Sequence, residues 1–534
     1  MPNHDWKCFF PHKTVRDEQT LAINAILDSF EGGKKIFVLE AGTGVGKSAI
    51  AVTVGRYIKA HFGNCGPETK QGSNIITTQK LLQAQYEKDY VDINSLKSST
   101  NYGCGHHKKL SCNDSRKLLK TEEKNTRFWK NCMFNCTYKK AKEKFIKEPY
   151  GVTNFAYFLT ETRYSGKIPR TSLLVIDEAH NTPDELSRFI EVTFSDRFAK
   201  SFVGIELPEH ITPAAFVKWI TEKYYPVLAK KILDFRIGLE KFTSLKSRVE
   251  SGEFSKLSRQ LEILTGHDLK VQTFLKLYDK DNWLMSEIPA EERTSRKVEF
   301  KPIDIAPYAH DYLFKLGEYT LLMSATIVDV DRFSQLCGIT GKAGSIKIPC
   351  PFPIENRPII YSGAGKMSAR EIDKTLPKLV KTVKAIMDEH KNDKGIIHCR
   401  SYKIAWYIKR NIRSSRFLIH DSSNRDEVLQ QHISSTKPTI LLSPSMTEGV
   451  DLKGDLSRFQ IVCKVPFPFL GDKLIRKKMN KWDWWYDLQT AKTIIQSVGR
   501  SVRSETDTAV TYILDSSWER FFNKNKALFG PEFL

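Results

Sequence analysis

The sequence predicts an α/β protein of two parallel-sheet domains, the first carrying two insertions. Three observations predict it. An apolar run at Ile36–Leu39 leads into the glycine-rich AGTGVGKS and then a helix, the opening unit of a parallel α/β sheet. Two more apolar runs, Ser172–Ile176 and Thr320–Met323, end in the short signatures DEAH and SATI. After about residue 327 the alternation of strand and helix starts again and continues toward the C-terminal end.

Taken in order, residues 20–39 read as an amphipathic helix, a Gly32-Gly33 turn and the first strand. The helix Ala49–Ala60 follows the glycine loop, and a short strand, Asn74–Thr78, leads into the helical LLQAQYEKDY. Two long stretches lack sheet character. Residues 95–150 are basic and hold a group of cysteines, while residues 183–310 are mostly helical in pattern, as in AAFVKWITEKYYPVLAKKILDF. Reading both as insertions assigns residues 1–94, 151–182 and 311–326 to the first domain and 327–534 to the second. In the second, strands are expected at Pro358–Tyr361, Gly395–His398, Arg416–Ile419, Thr439–Ser443, Gln460–Val465 and Ala509–Leu514. Helices at Lys374–His390 and Tyr402–Ile412 fall between them.

With 83 Lys and Arg against 62 Asp and Glu, the chain carries +21. Such an excess suits a polyanionic partner, or a soluble Lys-rich surface. No apolar run reaches the ~18 residues of a membrane span, and the N-terminal MPNHDWKCFFPHKTVRDEQ has no signal-peptide pattern. The expectation is a monomeric, non-membrane protein of the cytoplasm, near the nucleoid, or of a host cytoplasm if phage-encoded.

The chemistry begins at Gly42, Thr43, Gly44, Gly46, Lys47 and Ser48. Glycines let backbone N–H groups turn toward phosphate oxygens, and the next helix N-terminus adds its positive dipole end. Lys47 would reach the β- and γ-phosphates and Ser48 would ligate Mg²⁺. Ala41 stands where the strict pattern has glycine. Asp177 and Glu178 at a strand end supply a Mg²⁺-binding carboxylate and a general base for the attacking water. Kinases, GTPases and transporters share such a loop. Gln496-Ser-Val-Gly-Arg500-Ser-Val-Arg503 narrows the choice, because Arg500 and Arg503 lie three apart and could meet a γ-phosphate from the second domain. Hydrolysis would then depend on the two domains closing, which is how a motor works.

Four cysteines follow the spacing Cys104-x7-Cys112-x19-Cys132-x3-Cys136. By chemistry alone an iron–sulfur cluster, zinc and buried free thiols all remain open. His106 and His107 are spare ligands or exposed basic residues. Lys108, Lys109, Arg127, Phe128, Trp129 and Lys130 combine cations with aromatics, which suits single-stranded nucleic acid or a solvated basic face. Trp482, Trp484, Trp485 and Tyr486 could stack on bases or pack against the second domain.

The ordered set resembles the superfamily 2 helicases of the XPD/DinG-type iron–sulfur branch, from Arg16 to about Asp515. RDEQ, EAGTGVGKS, NIITTQKLLQAQ, GVTNFAYFL, DEAH, LLMSATI, LLSPSMTEGVDLKGD, VPFPFLGD and QTAKTIIQSVGRSVRS carry the likeness. HCRS at residues 398–401 fits its motif only loosely. The resemblance implies two RecA-like P-loop NTPase domains, an iron–sulfur insertion at 95–150 and an arch-like insertion at 183–310. Arg16 and Gln19 would read adenine, while Gly449 and Asp451 would join the ATP site with Lys47, Ser48, Asp177, Glu178, Gln496, Arg500 and Arg503. His180 and Gln496 would couple ATP to DNA, with Ser324 and Thr326 relaying between domains. Thr78, Asn154 and Thr447 would touch the strand, and the four cysteines would hold a [4Fe–4S] cluster. The implied activity is ATP- and Mg²⁺-dependent 5′→3′ travel on single-stranded DNA with unwinding of forked duplex. Rival readings are a translocase that strips proteins without unwinding, a cluster-bearing binding switch, and a nuclease, for which no added domain is evident.

Overall fold

The computed structural model describes residues 4–62, 66, 68–113, 115, 125–163, 166–241, 252–292, 294–421, 424–444, 452, 454–499, 501, 502 and 504–533. Sixteen strands run through these residues in three sheets. The first sheet contains β1 (Ile36–Ala41), β2 (Thr69–Thr77), β3 (Ile93–Leu96), β4 (Tyr150–Asn154) and β5 (Arg170–Asp177). β6 (Val192–Ser195), β7 (Trp283–Ile288) and β8 (Lys297–Pro302) form a separate small sheet, and β9 (Gly317–Ser324) and β10 (Ala343–Ile348) return to the first. Then come β11 (Ile359–Gly365), β12 (Gly395–His398), β13 (Phe417–Ile419), β14 (Ile440–Ser443), β15 (Phe459–Val462) and β16 (Val510–Asp515).

The first sheet has the order β10-β1-β9-β5-β2-β4-β3 and the second β11-β16-β15-β12-β14-β13. Every pairing in both is parallel. A parallel sheet covered by helices on both faces demands apolar residues on both sides of each strand, which is why IFVLEA and TLLMS read as continuous runs. Alternate side chains then serve opposite faces. Phe37, Leu39, Leu173, Val175, Leu321 and Met323 join the core on one side of the sheet. Val38, Leu174, Ile176 and Leu322 join the core on the other.

The boundary expected at residue 327 is corrected by β10, which pairs with β1. The first domain therefore runs on through Ile348 before the chain crosses to the second. β10 lies at the sheet edge, where AGSIKI stays partly exposed and lacks an apolar run. The stretch 183–310 is helical in large part, with helices Tyr225–Glu240 and Gly252–Leu277. It also holds the antiparallel sheet β6-β8-β7, absent from the sequence reading. In β8 only every second residue is buried, the signature of a half-covered strand. The cysteine-bearing stretch leaves after β3 and returns at β4. Among the described residues no helix is long and apolar enough to cross a membrane.

Candidate nucleotide and nucleic-acid site

The strand register brings the ends of β1, β9 and β5 to one level. Glu40 lies opposite Ser324, and Asp177 opposite Met323 on the other side. Beyond β1 the chain turns through Gly44 and Gly46, with φ 91° and 86°. That left-handed backbone favours glycine and ends at the helix Lys47–His61. Lys47 Nζ donates to the Ala41 carbonyl at 3.0 Å and thus arches over the loop. Arg16 donates from its guanidinium to the Gly44 carbonyl. Gln19, whose Oε1 accepts the Arg16 N–H at 3.1 Å, packs its amide against Gly46. Arg16 and Gln19 are therefore built onto the phosphate-type loop itself.

Asp177 ends β5 buried. Its Oδ1 accepts the Glu178 N–H at 2.9 Å and its Oδ2 accepts the Tyr86 hydroxyl at 3.0 Å. Burial, with the Glu178 carboxylate beside it, pushes Asp177 up to about 6. Burial likewise raises Tyr86, so its phenol stays a donor. Glu178 itself has φ 55°, an uncommon value for a residue with a side chain. Asp177 and Ser48 offer the hard oxygen donors that suit Mg²⁺.

One polar chain crosses between the domains. Gln496, on the helix Trp485–Val498, donates its amide N–H to His180 Nε2 at 2.7 Å and to Thr326 Oγ1 at 3.2 Å. Because Nε2 accepts, the ring proton sits on Nδ1, which faces Ser324 Oγ at 2.7 Å and Glu178 Oε2 at 3.4 Å. All of these side chains except Glu178 are buried. Beside them opens a cleft lined by Gly42, Thr43, Lys47, Glu178 and Gly499. Arg500, Arg503, Thr447, Gly449 and Asp451 lie outside the described residues.

Thr78 and Asn154 stand together at the ends of β2 and β4. The Asn154 amide reaches the Thr77 and Thr78 carbonyls, each at 3.4 Å. Its Oδ1 accepts the Ala156 N–H at 3.1 Å. Asn154 thus shapes the strand end and caps the next helix. The tryptophans pack: Trp482 and Trp485 are buried with Leu336 of the helix Val330–Cys337, on the first-domain side rather than the second expected from sequence.

In the cysteine-bearing stretch, Gly103 and Ser111 form a bridge that brings Cys104 and Cys112 onto facing arms of a short hairpin. Cys112 Sγ and Cys136 Sγ are 3.4 Å apart. Cys104 Sγ accepts the Ser115 hydroxyl at 3.0 Å, and Cys132 is buried in the π-helical turn Asn131–Asn135. Among the described residues no group of three His, Cys, Asp or Glu side chains stands close enough to hold a metal ion. The donors in this one substructure are nonetheless thiols, two of them in contact, and soft thiolates suit iron–sulfur clusters and zinc. His106 packs tilted and His107 edge-on against Phe128, with ring centroids 5.2 and 4.7 Å from it.

Residues 12–205 match the family described as type III restriction enzyme, res subunit, and residues 384–528 match the helicase C-terminal domain family. The ATP-dependent DNA helicase YoaA of Escherichia coli is 23% identical over 439 residues, which cover 72% of this chain and 66% of that protein. The ATP-dependent DNA helicase DinG of Photobacterium profundum is 22% identical over 470 residues, 71% of this chain and 67% of that one. The alignments thus take in about two thirds of each curated relative. A solved XPD helicase superposes with a TM-score of 0.66 at 15% identity, covering 97% of this chain and 99% of the other, a likeness of fold. These likenesses are to helicases of the XPD and DinG type. Three features that motif reading passed over complete the cleft. Tyr86 holds Asp177 from the helix Lys80–Asp89. Glu40 accepts the Val328 N–H at 2.9 Å and fixes that residue at φ 71° where the chain leaves β9. Phe352, on the crossing between domains, lies against Gly44 so closely that a Cβ there would run into its ring. It packs on Val502 and Ala509 of the second domain. None is visible in sequence, because each partner lies tens to hundreds of residues away.

Proposed function

We propose that the chain is an ATP-dependent DNA helicase that moves on single-stranded DNA in the 5′→3′ direction and opens forked duplex at the cysteine-bearing substructure. The observation that carries the reading is the buried hydrogen-bonded chain from Gln496 through His180 and Thr326 to Ser324, which joins the second domain to the hydrolytic strand ends of the first. The direction of travel rests on the family resemblance alone.

ATP would sit with its phosphates on the loop Gly42–Ser48, with Arg16 and Gln19 at that loop's outer side. Glu178 would take the proton of the attacking water as its oxygen bonds to the γ-phosphorus and the bond to ADP breaks. Mg²⁺, held through Ser48 and Asp177, supplies charge neutralisation of the phosphates. Arg500 and Arg503 would approach from the second domain, and Gly449 and Asp451 would complete that side. His180 is hydrogen-bonded to Gln496 on one nitrogen and faces Glu178 on the other, so a change at the γ-phosphate would reach the second domain. Thr78, Asn154 and Thr447 would line the strand. A [4Fe–4S] cluster on Cys104, Cys112, Cys132 and Cys136 would supply covalent cross-linking of a segment with little core of its own. The protein would act as a monomer near the nucleoid.

The test is Lys47→Ala in paired assays of ATP hydrolysis and forked-duplex unwinding. Both should vanish together, and unwinding that persists would sink the reading.

A further inference from the structure

One exposed face of the second domain carries aromatic and cationic side chains at helical spacing, away from the nucleotide cleft. The helix Tyr402–Asn411 starts just beyond the C-terminal end of β12, capped by Ser401 Oγ, which accepts the Ile404 N–H at 3.3 Å. Ile404, Ala405 and Ile408 bury the inner face. On the outer face Tyr402 and Trp406 are each 43% exposed. Lys409, Arg410 and Arg413 follow, also exposed. Residues 402, 406 and 410 succeed one another at four positions, so they form one stripe, with Lys409 beside it and Arg413 just past the helix end. Lys409 Nζ stands 5.2 Å from the Trp406 ring centroid. No acidic residue occurs from Ser401 to His420. On the neighbouring helix Ile372–Glu389, Asp373 is engaged by Lys403 at 2.6 Å, while Lys374, Lys378, Lys381 and Lys384 are exposed.

An exposed aromatic alone needs no explanation. Here two aromatics and two cations share a helix face, with a third cation just past its end, and the face begins at the carboxyl edge of a parallel sheet, the edge where open α/β sheets take their ligands. Rings offer stacking surface to unpaired bases and the cations offer contacts to phosphates, a pairing of chemistries that fits a single strand better than a duplex, whose bases are already stacked. We propose that this face is a track for single-stranded DNA that extends the path leaving the motor cleft. Tyr402 and Trp406 stack on bases, and Lys409, Arg410 and Arg413 hold the backbone. From residue 402 to 410 the helix rises ~12 Å, room for about three or four nucleotides at ~3.4 Å each. The proposal rests on the helicase reading above.

The test uses the full chain and labelled oligothymidylates in fluorescence anisotropy at low and moderate salt. One oligomer is about 8 nucleotides, short enough for the strand contacts proposed at Thr78, Asn154 and Thr447 alone; the other, about 24, exceeds a typical single-domain site. Tyr402→Ala/Trp406→Ala should weaken the long oligomer about tenfold and the short one less than about twofold, with the thermal midpoint unchanged. Lys409→Glu/Arg410→Glu/Arg413→Glu should also act on the long oligomer alone and flatten its salt dependence. Equal affinity of wild type and both variants for the long oligomer would overturn the track while leaving the helicase reading intact. Equal weakening of both oligomers would overturn it as well, since that marks a diffuse charge effect. A wild-type chain that binds neither oligomer, and whose ATPase neither stimulates, would fail the helicase reading itself.

Discussion

Around Asp177 each polar group is set by a strand end or by a helix packed on a sheet, whereas around Cys112 the described residues hold one β-bridge, short helical turns and the helix Thr137–Lys147. Tyr86, Glu178 and Ser324 near the first carboxylate are fixed by a seven-stranded sheet with cores on both faces. Among the described residues the cysteine-bearing stretch shares Cys112, Tyr138 and Phe145 with one of those cores, and Tyr102, Cys136, Ala141 and Ile146 pack against it partly exposed. It is tied down by Lys70, whose Nζ donates to the Phe145 carbonyl at 2.6 Å and to Asn74 Oδ1 at 2.7 Å. The cleft is organised by packing before any nucleotide arrives. The insertion has too little core to do the same and would draw its order from what its thiols bind.

The largest expected effect lies in the cleft. Lys47→Ala should lower phosphate release on the order of 10³-fold with an unchanged melting curve, because the loop is held by strand and helix. A large drop in melting temperature would break the view that packing alone builds this site.

Next comes the insertion. Cys112→Ser or Cys136→Ser should abolish bound iron, expected at about four atoms per chain in the wild type, and expose residues 97–149 to protease. DNA-free ATPase should survive. Wild-type protein that holds zinc and no sulfide would overturn the cluster assignment, and unaltered proteolysis would show that the segment orders itself without metal.

An intermediate effect is expected at the relay. Gln496→Ala leaves His180 Nε2 buried without its donor, a cost of ~1–3 kcal/mol. DNA stimulation of ATPase should fall roughly five- to a hundredfold, more than the DNA-free rate does. Equal losses in both rates would make Gln496 a packing residue.

The smallest effect joins the two regions. Burial pulls Lys70 down to about 7, while the unfolded chain holds that proton to ~10.4. Between those values the unfolded state binds more protons, so this group's contribution to stability rises with pH from about 7 upward. Lys70→Met should remove that rise. The melting temperature of wild type relative to the variant should climb by about 2 °C between neutral and alkaline pH, and parallel curves would refute the assignment.

Much of the catalytic side was legible because backbone demands are local. Glycines that must turn left-handed, an apolar run that must be a buried parallel strand, and a carboxylate pair at its end all announce themselves within a dozen residues. Lys47, Asp177 and Glu178 were singled out that way, whereas the roles expected of His180 and Gln496 came from the family resemblance. β10 was missed because an edge strand is not obliged to be apolar throughout, and β8 because only half of it is buried.

The sequence by itself determined two parallel sheets, a phosphate-type loop, and a cysteine-bearing insertion at residues 95–150. Only the tertiary structure decided that Gln496 reaches His180, that Tyr86 holds Asp177, that Phe352 sits on Gly44, and that the Trp482–Trp485 group packs on Leu336. The reason is distance along the chain. Periodicity and turn chemistry act over one helix or strand, whereas these contacts depend on strand order, on the crossing at residues 349–358, and on how one sheet meets another.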